Sequence, residues 1–471
     1  MTPFDFTPHA ARRSALAARM RALGGGVAVL PTAPEALRNR DTHYPYRHDS
    51  YFHYLSGFTE PEAVVVLLAG AETKSILFCR PKHEEREIWD GFRFGPAAAA
   101  ERFGFDEAYP VEEFDSRIAT LLAGQPNLFY AMGYDAPFDA RMLAAINTVR
   151  NLVRTGQMPP AATIDVRNLI DPMRLVKDAH EIALMRRAAA ISAEAHKRAM
   201  RAAKPGRHEY EIDAELLHEF RRNGSEYPAY GSIVAAGANA CVLHYTANDA
   251  QMRDGDLLLI DAGCEWRGYA SDITRTFPVN GKFSGAQRDL YQIVLAAQTA
   301  AKAATRPGAL YNLPHEAAVK VLAQGMLDTG LLTGSLDAAL EQGNARSGGY
   351  FRFYMHRTGH WLGMDVHDAG PYKKPAVGNA VGNAPGSAAG NAAGSAAGTP
   401  ATDMDWLPLQ AGNLVTIEPG IYVRPADDVP KAFWNIGIRI EDDALVTAQG
   451  CEFITEDCPR SIADIEALMR A

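Results

Sequence analysis

Cysteine is scarce and scattered in this chain: Cys79, Cys241, Cys264, Cys451 and Cys458 are its five, and none falls in a Cys-X-X-Cys pair. That pattern excludes a disulfide framework and a zinc ribbon. Long apolar runs are also missing, because no window approaches the roughly 18 consecutive apolar residues of a membrane-spanning helix. The opening segment, Met1 to Met20, has no signal-peptide core. Positive charge is in deficit, with 47 basic against 56 acidic residues for a net charge of −9, so a general attraction to nucleic acid or an anionic membrane is disfavoured. Neither a Gly-X-Ser-X-Gly motif nor a P-loop is present, and Gly24-Gly25-Gly26 precedes a strand pattern instead of following one. Serine-hydrolase, nucleotide and dinucleotide readings fall away. The expectation is a soluble, cytoplasmic protein.

What is there is ordinary globular composition: 471 residues, 47% hydrophobic and 22% charged. The length suits two domains. In the first third, apolar runs at Val27 to Leu30, Ala63 to Ala69 and Ser75 to Cys79 alternate with helical stretches at Val111 to Leu122 and Pro137 to Arg150. This predicts an α/β domain over 1–172, closed by a turn-rich segment from Thr163 to Pro172. A helix opens near Asp178, and the remainder, 173–471, mixes helices with antiparallel strand patterns, which predicts α+β. Between Ala376 and Thr402 glycine recurs every four residues among alanine, asparagine and serine. Such a composition cannot offset its ordering entropy, so an expanded, disordered insertion is expected.

The chemistry concentrates in the second domain. The run from Asp256 to Pro278 reads as a β-hairpin; with Trp266 and Arg267 at the tip, Asp261 faces Asp272. Like charges directly opposite are destabilising, and a divalent cation between them removes the conflict. Two aspartates near a turn are also commonly solvated. A second acidic pair follows, Glu418 in Ile-Glu-Pro-Gly and Glu441 in Ile-Arg-Ile-Glu-Asp, each ending an apolar strand, with Arg439 sharing the face of Glu441. A buried salt bridge is the competing reading there. His356, His360 and His367 lie between the pairs and His244 lies ahead of them. His356 and His360 have the spacing of a helical zinc motif, but Arg-Thr-Gly between them supplies no glutamate. Carboxylates with one or two imidazoles suit Mn²⁺ better than structural zinc. Two such ions about 3.5–4 Å apart can bridge a hydroxide and make it a nucleophile at neutral pH.

Asp-Ala-Gly with its second Asp, His-Trp-Leu-Gly, Val-His-Asp, Glu-Pro-Gly-Ile-Tyr and Gly-Ile-Arg-Ile-Glu-Asp together resemble the pita-bread metallopeptidases of the Xaa-Pro aminopeptidase (aminopeptidase P) kind. Arg38 to Arg47 and Tyr54 to Ala63 resemble the creatinase-type N-terminal domain of those enzymes. The resemblance implies a pita-bread catalytic domain and two divalent metal ions, Mn²⁺, held by Asp261, Asp272, His360, Glu418 and Glu441, with Asp272 and Glu441 bridging. It implies that Glu418 shuttles a proton and that His244, His356 and His367 contact substrate or steady the tetrahedral intermediate. Arg439 and Tyr422 would support the acid cluster. The implied reaction is release of the first residue from peptides with proline second, by attack of the metal-bridging hydroxide, in a homo-oligomer, dimer or tetramer. Trp89 is expected to wall a substrate pocket of its own or a neighbouring subunit, or else to pack within its own domain. A prolidase shares the metal motifs; a non-catalytic module on the same fold would have lost ligands, which this chain has not.

Overall fold

Valine, leucine and phenylalanine in unbroken runs give the first unit a sheet covered on both faces. The computed structural model describes residues 6–374 and 406–470; the Gly/Ala-rich stretch 376–402 lies outside them. Two compact units part between Met173 and Arg174. The first runs α1 (Thr7–Ala22), β1 (Gly26–Pro31), α2 (Ser50–Ser56), β2 (Val64–Ala69), β3 (Thr73–Cys79), α3 (Glu84–Asp90), α4 (Pro96–Phe103), β4 (Glu107–Pro110), α5 (Phe114–Leu122), β5 (Asn127–Phe129), α6 (Ala136–Asn151), β6 (Ala162–Ile164) and α7 (Arg167–Leu175). Its strands form one mixed sheet in the order β4-β3-β2-β1-β5-β6. β1 runs antiparallel to β2 and parallel to β5. Val27, Val29, Val66 and Phe78 pack on one side with Phe114 and Ile118 of α5 and Met142 of α6.

The expected turn-rich close of this unit is instead mostly β6 and α7. Asp165 starts α7 by accepting the backbone N–H of Arg167 at 3.0 Å, and Pro172 lies inside the helix. Proline forfeits one helical hydrogen bond. Full burial of Leu169 and Ile170 outweighs that loss.

The second unit continues with α8 (Ala179–Ala202), α9 (Glu209–Arg222), β7 (Tyr227–Pro228), β8 (Ile233–Ala236), β9 (Leu257–Asp261), β10 (Cys264–Trp266), β11 (Tyr269–Ala270), β12 (Thr274–Pro278), α10 (Gly285–Ala304), α11 (Leu313–Asp328), α12 (Leu336–Asn344), β13 (Leu414–Ile417), β14 (Gly420–Val423), β15 (Ile436–Arg439), β16 (Asp442–Val446), β17 (Cys451–Phe453) and α13 (Ile462–Arg470). Among the described residues its strands form antiparallel sheets, β8-β9-β12, β7-β10-β11, β13-β16-β17 and the pair β14-β15. A single bridge between Thr274 of β12 and Glu441 links the strand systems, and another between Trp361 and Val415 ties the irregular segment before β13 to that strand. Asp178 and Glu181 form a reciprocal cap that starts α8. No helix among the described residues is long and apolar enough to cross a membrane.

α8 delivers one polar group to the sheet beneath it. His196 is fully buried, and its Nε2 lies 2.9 Å from the Ala262 carbonyl, so Nε2–H donates. Burial lowers its pKa to about 4, against the opposing pull of that carbonyl. The unfolded chain therefore binds a proton before the folded one does. The stabilisation is complete above about pH 6.5 and is lost as pH falls toward 4, by up to about 3 kcal/mol. In urea unfolding of metal-free protein at pH 7.5 and 4.5, His196→Gln should show a smaller acid-induced loss than the parent. An unchanged difference would assign the acid sensitivity elsewhere.

Candidate active site

The carboxylates are carried by two antiparallel strand systems joined by the Thr274–Glu441 bridge. The hairpin does not turn at Trp266 and Arg267 as expected. It turns at Arg267 and Gly268, both with positive φ, +52° and +78°, the backbone of a type I′ turn. Glu265 pairs with Ala270 and Asp261 with Thr274. The register thus slips by two residues, and Asp261 and Asp272 are diagonal neighbours on one face, not directly opposed. The glycine at 268, free to take positive φ, is the signal that marks the true tip. Gly263 is obligatory in the same hairpin, because a Cβ there would lie 1.6 Å from the Ser271 carbonyl oxygen.

Glu418 follows β13 and Glu441 falls between β15 and β16. Glu441 is locked by its own N–H to the Thr274 carbonyl at 3.0 Å and by the Thr274 hydroxyl, which donates to its Oε2 at 2.6 Å. His360 comes from the irregular segment before β13; its carbonyl accepts the Thr416 N–H at 3.0 Å and its own N–H donates to the Thr416 hydroxyl oxygen at 3.2 Å. A Cβ on Gly359 would lie 2.0 Å from the Thr416 carbonyl oxygen, so glycine is needed for that approach. Nδ1–H of His360 is directed at the Trp361 carbonyl, 3.0 Å away, which leaves the Nε2 lone pair available to a cation. That nitrogen lies 3.4 Å from Asp272 and 3.9 Å from Glu418. Ligand atoms of Asp272, His360 and Glu441 all fall within 4.8 Å of one another.

Asp261 is placed differently. Its Oδ2 receives Arg439 Nη2 at 2.6 Å and its Oδ1 receives the Tyr230 hydroxyl at 2.6 Å; Tyr230 also touches Asp272. Arg439 reaches the Tyr422 hydroxyl at 2.9 Å, and that oxygen lies 2.8 Å from His356 Nε2. His356 Nδ1 is 3.6 Å from Glu418. His367 stacks edge-on against His360, with ring centroids 4.3 Å apart. A cavity of about 780 Å³ is lined by Asp261, Asp272, His360, Glu418, Glu441, His244, His356, His367 and Arg439, with Tyr422 buried behind it. All ten residues singled out in the sequence thus gather at one place.

The electrostatics are those of a site built for cations. Burial pushes Glu418 up to about 7, with His360 and Arg439 opposing and Asp272 and Asp261 adding to it. Burial and then Asp272, Glu418 and Asp261 push Glu441 far above the usual carboxylate range. Burial lowers His360, but the Asp272 and Glu418 charges win and raise it to about 9. Burial, then the Arg439 cation, holds His356 at about 3 and hence neutral. An oxygen-rich donor set with one imidazole and a surplus of buried negative charge fits hard or borderline divalent ions. Tyr230 was not legible in the sequence; no spacing distinguishes it from the other tyrosines of the chain.

An α/β domain followed by an α+β unit whose antiparallel sheets pool acids and imidazoles in one cleft defines a metallopeptidase of the pita-bread class. The particulars come from comparison. Residues 183–448 match the model of metallopeptidase family M24 and residues 9–130 that of the aminopeptidase P N-terminal domain; the chain belongs to this family. It is 41% identical over 462 residues to the Xaa-Pro aminopeptidase of Escherichia coli, covering 98% of this chain and 97% of that one. The solved structure of Pseudomonas aeruginosa aminopeptidase PepP is 44% identical, with a TM-score of 0.90 over 100% of this chain and 99% of that one. A zinc-substituted E. coli aminopeptidase P in complex with product is 39% identical, with a TM-score of 0.89 over 99% and 98% of the two chains.

Proposed function

We propose that the chain is a metal-dependent Xaa-Pro aminopeptidase, releasing the first residue from peptides with proline second. The observation that carries this reading is the convergence of Asp272, His360 and Glu441 within 4.8 Å, in the cavity that also holds Asp261 and Glu418. These five residues would hold two divalent ions, Mn²⁺ by donor chemistry. Ions bound there supply Lewis acidity and lower the pKa of water toward neutrality.

The chain's own residues do the rest. Arg439 fixes the Asp261 carboxylate and Tyr422, and Tyr422 orients the His356 ring through its hydroxyl. Glu418 carries the proton. The prolyl nitrogen departs as a secondary amine only once it is protonated, and the Glu418 carboxyl, which faces the cavity, would take the proton from the attacking water and deliver it to that nitrogen. His244 and His367, both exposed in the cavity, and His356 contact the substrate or steady the tetrahedral intermediate.

The test is a matched panel of Xaa-Pro, Xaa-Pro-Zaa and Xaa-Ala-Zaa, analysed by mass spectrometry with metal-stripped protein before and after Mn²⁺. Metal-dependent release of Xaa from Xaa-Pro-Zaa supports the reading. Cleavage of Xaa-Pro alone makes the protein a prolidase, and no cleavage by folded, metal-loaded protein makes it a binding module.

We also infer that it works as a homo-oligomer, a dimer or tetramer. Ile88, Trp89 and Phe92 on and beside α3 are 80%, 79% and 66% exposed, which excludes an interior packing role for Trp89. Apolar side chains so clustered on a surface suit a protein contact. Trp89→Ala should raise KM by about tenfold, or shift the light-scattering mass toward the monomer, at the roughly 2 kcal/mol of an interface anchor. Unchanged kinetics and mass would remove Trp89 from both roles.

A further inference from the structure

Glu209 is the first residue of α9 and is completely buried. Among the described residues no cation pairs with it; four donors do. Its Oε1 accepts the Ala236 N–H at 2.7 Å and the Asn239 side-chain amide at 3.0 Å. Its Oε2 accepts the Tyr245 hydroxyl at 2.8 Å and the Ala250 N–H at 2.9 Å. The backbone of Glu209 closes the arrangement by donating to the Ala250 carbonyl at 3.0 Å. A buried carboxylate is tolerated when its lone pairs are filled, and a position at the N-terminus of a fourteen-residue helix adds favourable dipole interaction.

The donors are not scattered. Ala236 ends β8, Asn239 sits in the turn after it, and Tyr245 and Ala250 lie in the irregular stretch 242–250. That stretch carries His244 into the cavity. It has no strand or helix of its own; besides Glu209 it is held by Asn248, which bonds Val234 N–H and the Ser232 carbonyl. The His244 ring makes no hydrogen bond among the described residues, so its position is set by where its backbone is held. Tyr245, the next residue, is the point of attachment.

We propose that Glu209 is a positioning residue for the peptidase reaction: it fastens the loop bearing His244 so that the imidazole faces the scissile bond. This rests on the aminopeptidase reading and deepens it. Placing a group about 1 Å off its working position can cost up to a hundredfold in rate, and one altered tie out of several points to about tenfold.

The experiment is a double-mutant cycle on the metal-loaded enzyme with an Xaa-Pro-Zaa substrate. Glu209→Gln keeps the shape but turns an acceptor into a donor facing N–H and O–H groups. It should lower kcat/KM by about tenfold while metal content stays at the parent level. In a His244→Ala background the same change should cost nothing further. Tyr245→Phe, which removes one hydroxyl and preserves the ring, should give a smaller loss with the same non-additivity; it serves if Glu209→Gln does not fold. Equal losses in both backgrounds, or parent-level activity in Glu209→Gln with His244→Ala impaired, would overturn the positioning role. If the parent enzyme releases nothing from Xaa-Pro-Zaa, the aminopeptidase reading itself has failed instead.

Discussion

Asp272→Asn should yield a folded protein that holds little or no divalent metal and has lost at least about a thousandfold in kcat/KM, since the chemistry depends on water activated near neutral pH. Asp272 is 4% exposed, 3.4 Å from Nε2 of His360 and held by the Tyr230 hydroxyl. Its backbone N–H is fixed by Asp443, with both oxygens 3.2 Å away. An amide of the same size fits that place, but it brings no charge and aims an NH₂ group where an oxygen is needed. Against burial, which raises it, the His360 partner holds the Asp272 carboxyl below its ordinary value, and Asp272 in turn raises His360, so metal-free Asp272→Asn loses that pair and should melt lower than the metal-free parent. Elemental analysis, a thermal melt and steady-state kinetics on one preparation check all three. A full metal complement with near-parental rate would remove Asp272 from the ligand set.

The second large effect concerns stability. Arg275→Met should cost about 3 kcal/mol, the low end of the penalty for breaking a buried ion pair, because Asp442 keeps the Thr455 hydroxyl at 2.7 Å, the Gln298 amide at 2.9 Å and Arg460 at 3.5 Å. Arg275 and Asp442 are wholly buried, with Nη2 2.7 Å from Oδ1. The remaining guanidinium hydrogens go to the carbonyls of Thr274, Glu441, Cys458 and Pro459, so all five donors are used. Because one of those carbonyls belongs to Glu441, the variant should also lose metal affinity. Arg275→Met combined with Asp442→Leu removes both charges and should recover part of the stability, though not the affinity. Denaturant unfolding of metal-free proteins, followed by Mn²⁺ titration, separates the two. A single variant as stable as the parent would show that the pair is not the anchor it resembles.

Much of this was legible in the sequence because apolar runs and isolated polar residues are local signals. The strands around Val27, Val64 and Leu414, the helix opened by Asp178 and the acids ending β13 and following β15 lie where periodicity placed them. The hairpin register did not, because one glycine at the turn shifts every pairing by two. Pro172 read as a stop, yet burial of Leu169 and Ile170 keeps α7 intact across it. Tyr230, Glu209 and Arg275 left no trace for a different reason. Their partners lie on other elements, and nothing adjacent in the chain foretells a tyrosine shared by two aspartates or an arginine with every donor filled.

That separation bears on how the protein is made. Asp261, Asp272 and Arg275 leave the ribosome well before Glu418, Glu441 and Asp442, which lie at or beside β13, β15 and β16, far later in the chain. A nascent chain therefore carries the first hairpin with its carboxylates and guanidinium still hydrated, and it cannot seal that face until Val446 has emerged. Closing so long a loop adds little equilibrium cost, because the entropy grows only logarithmically with length. The delay is kinetic. A product truncated ahead of β15 would be left with half a cleft and an exposed sheet edge, a species for proteases or chaperones and never a weakly active enzyme.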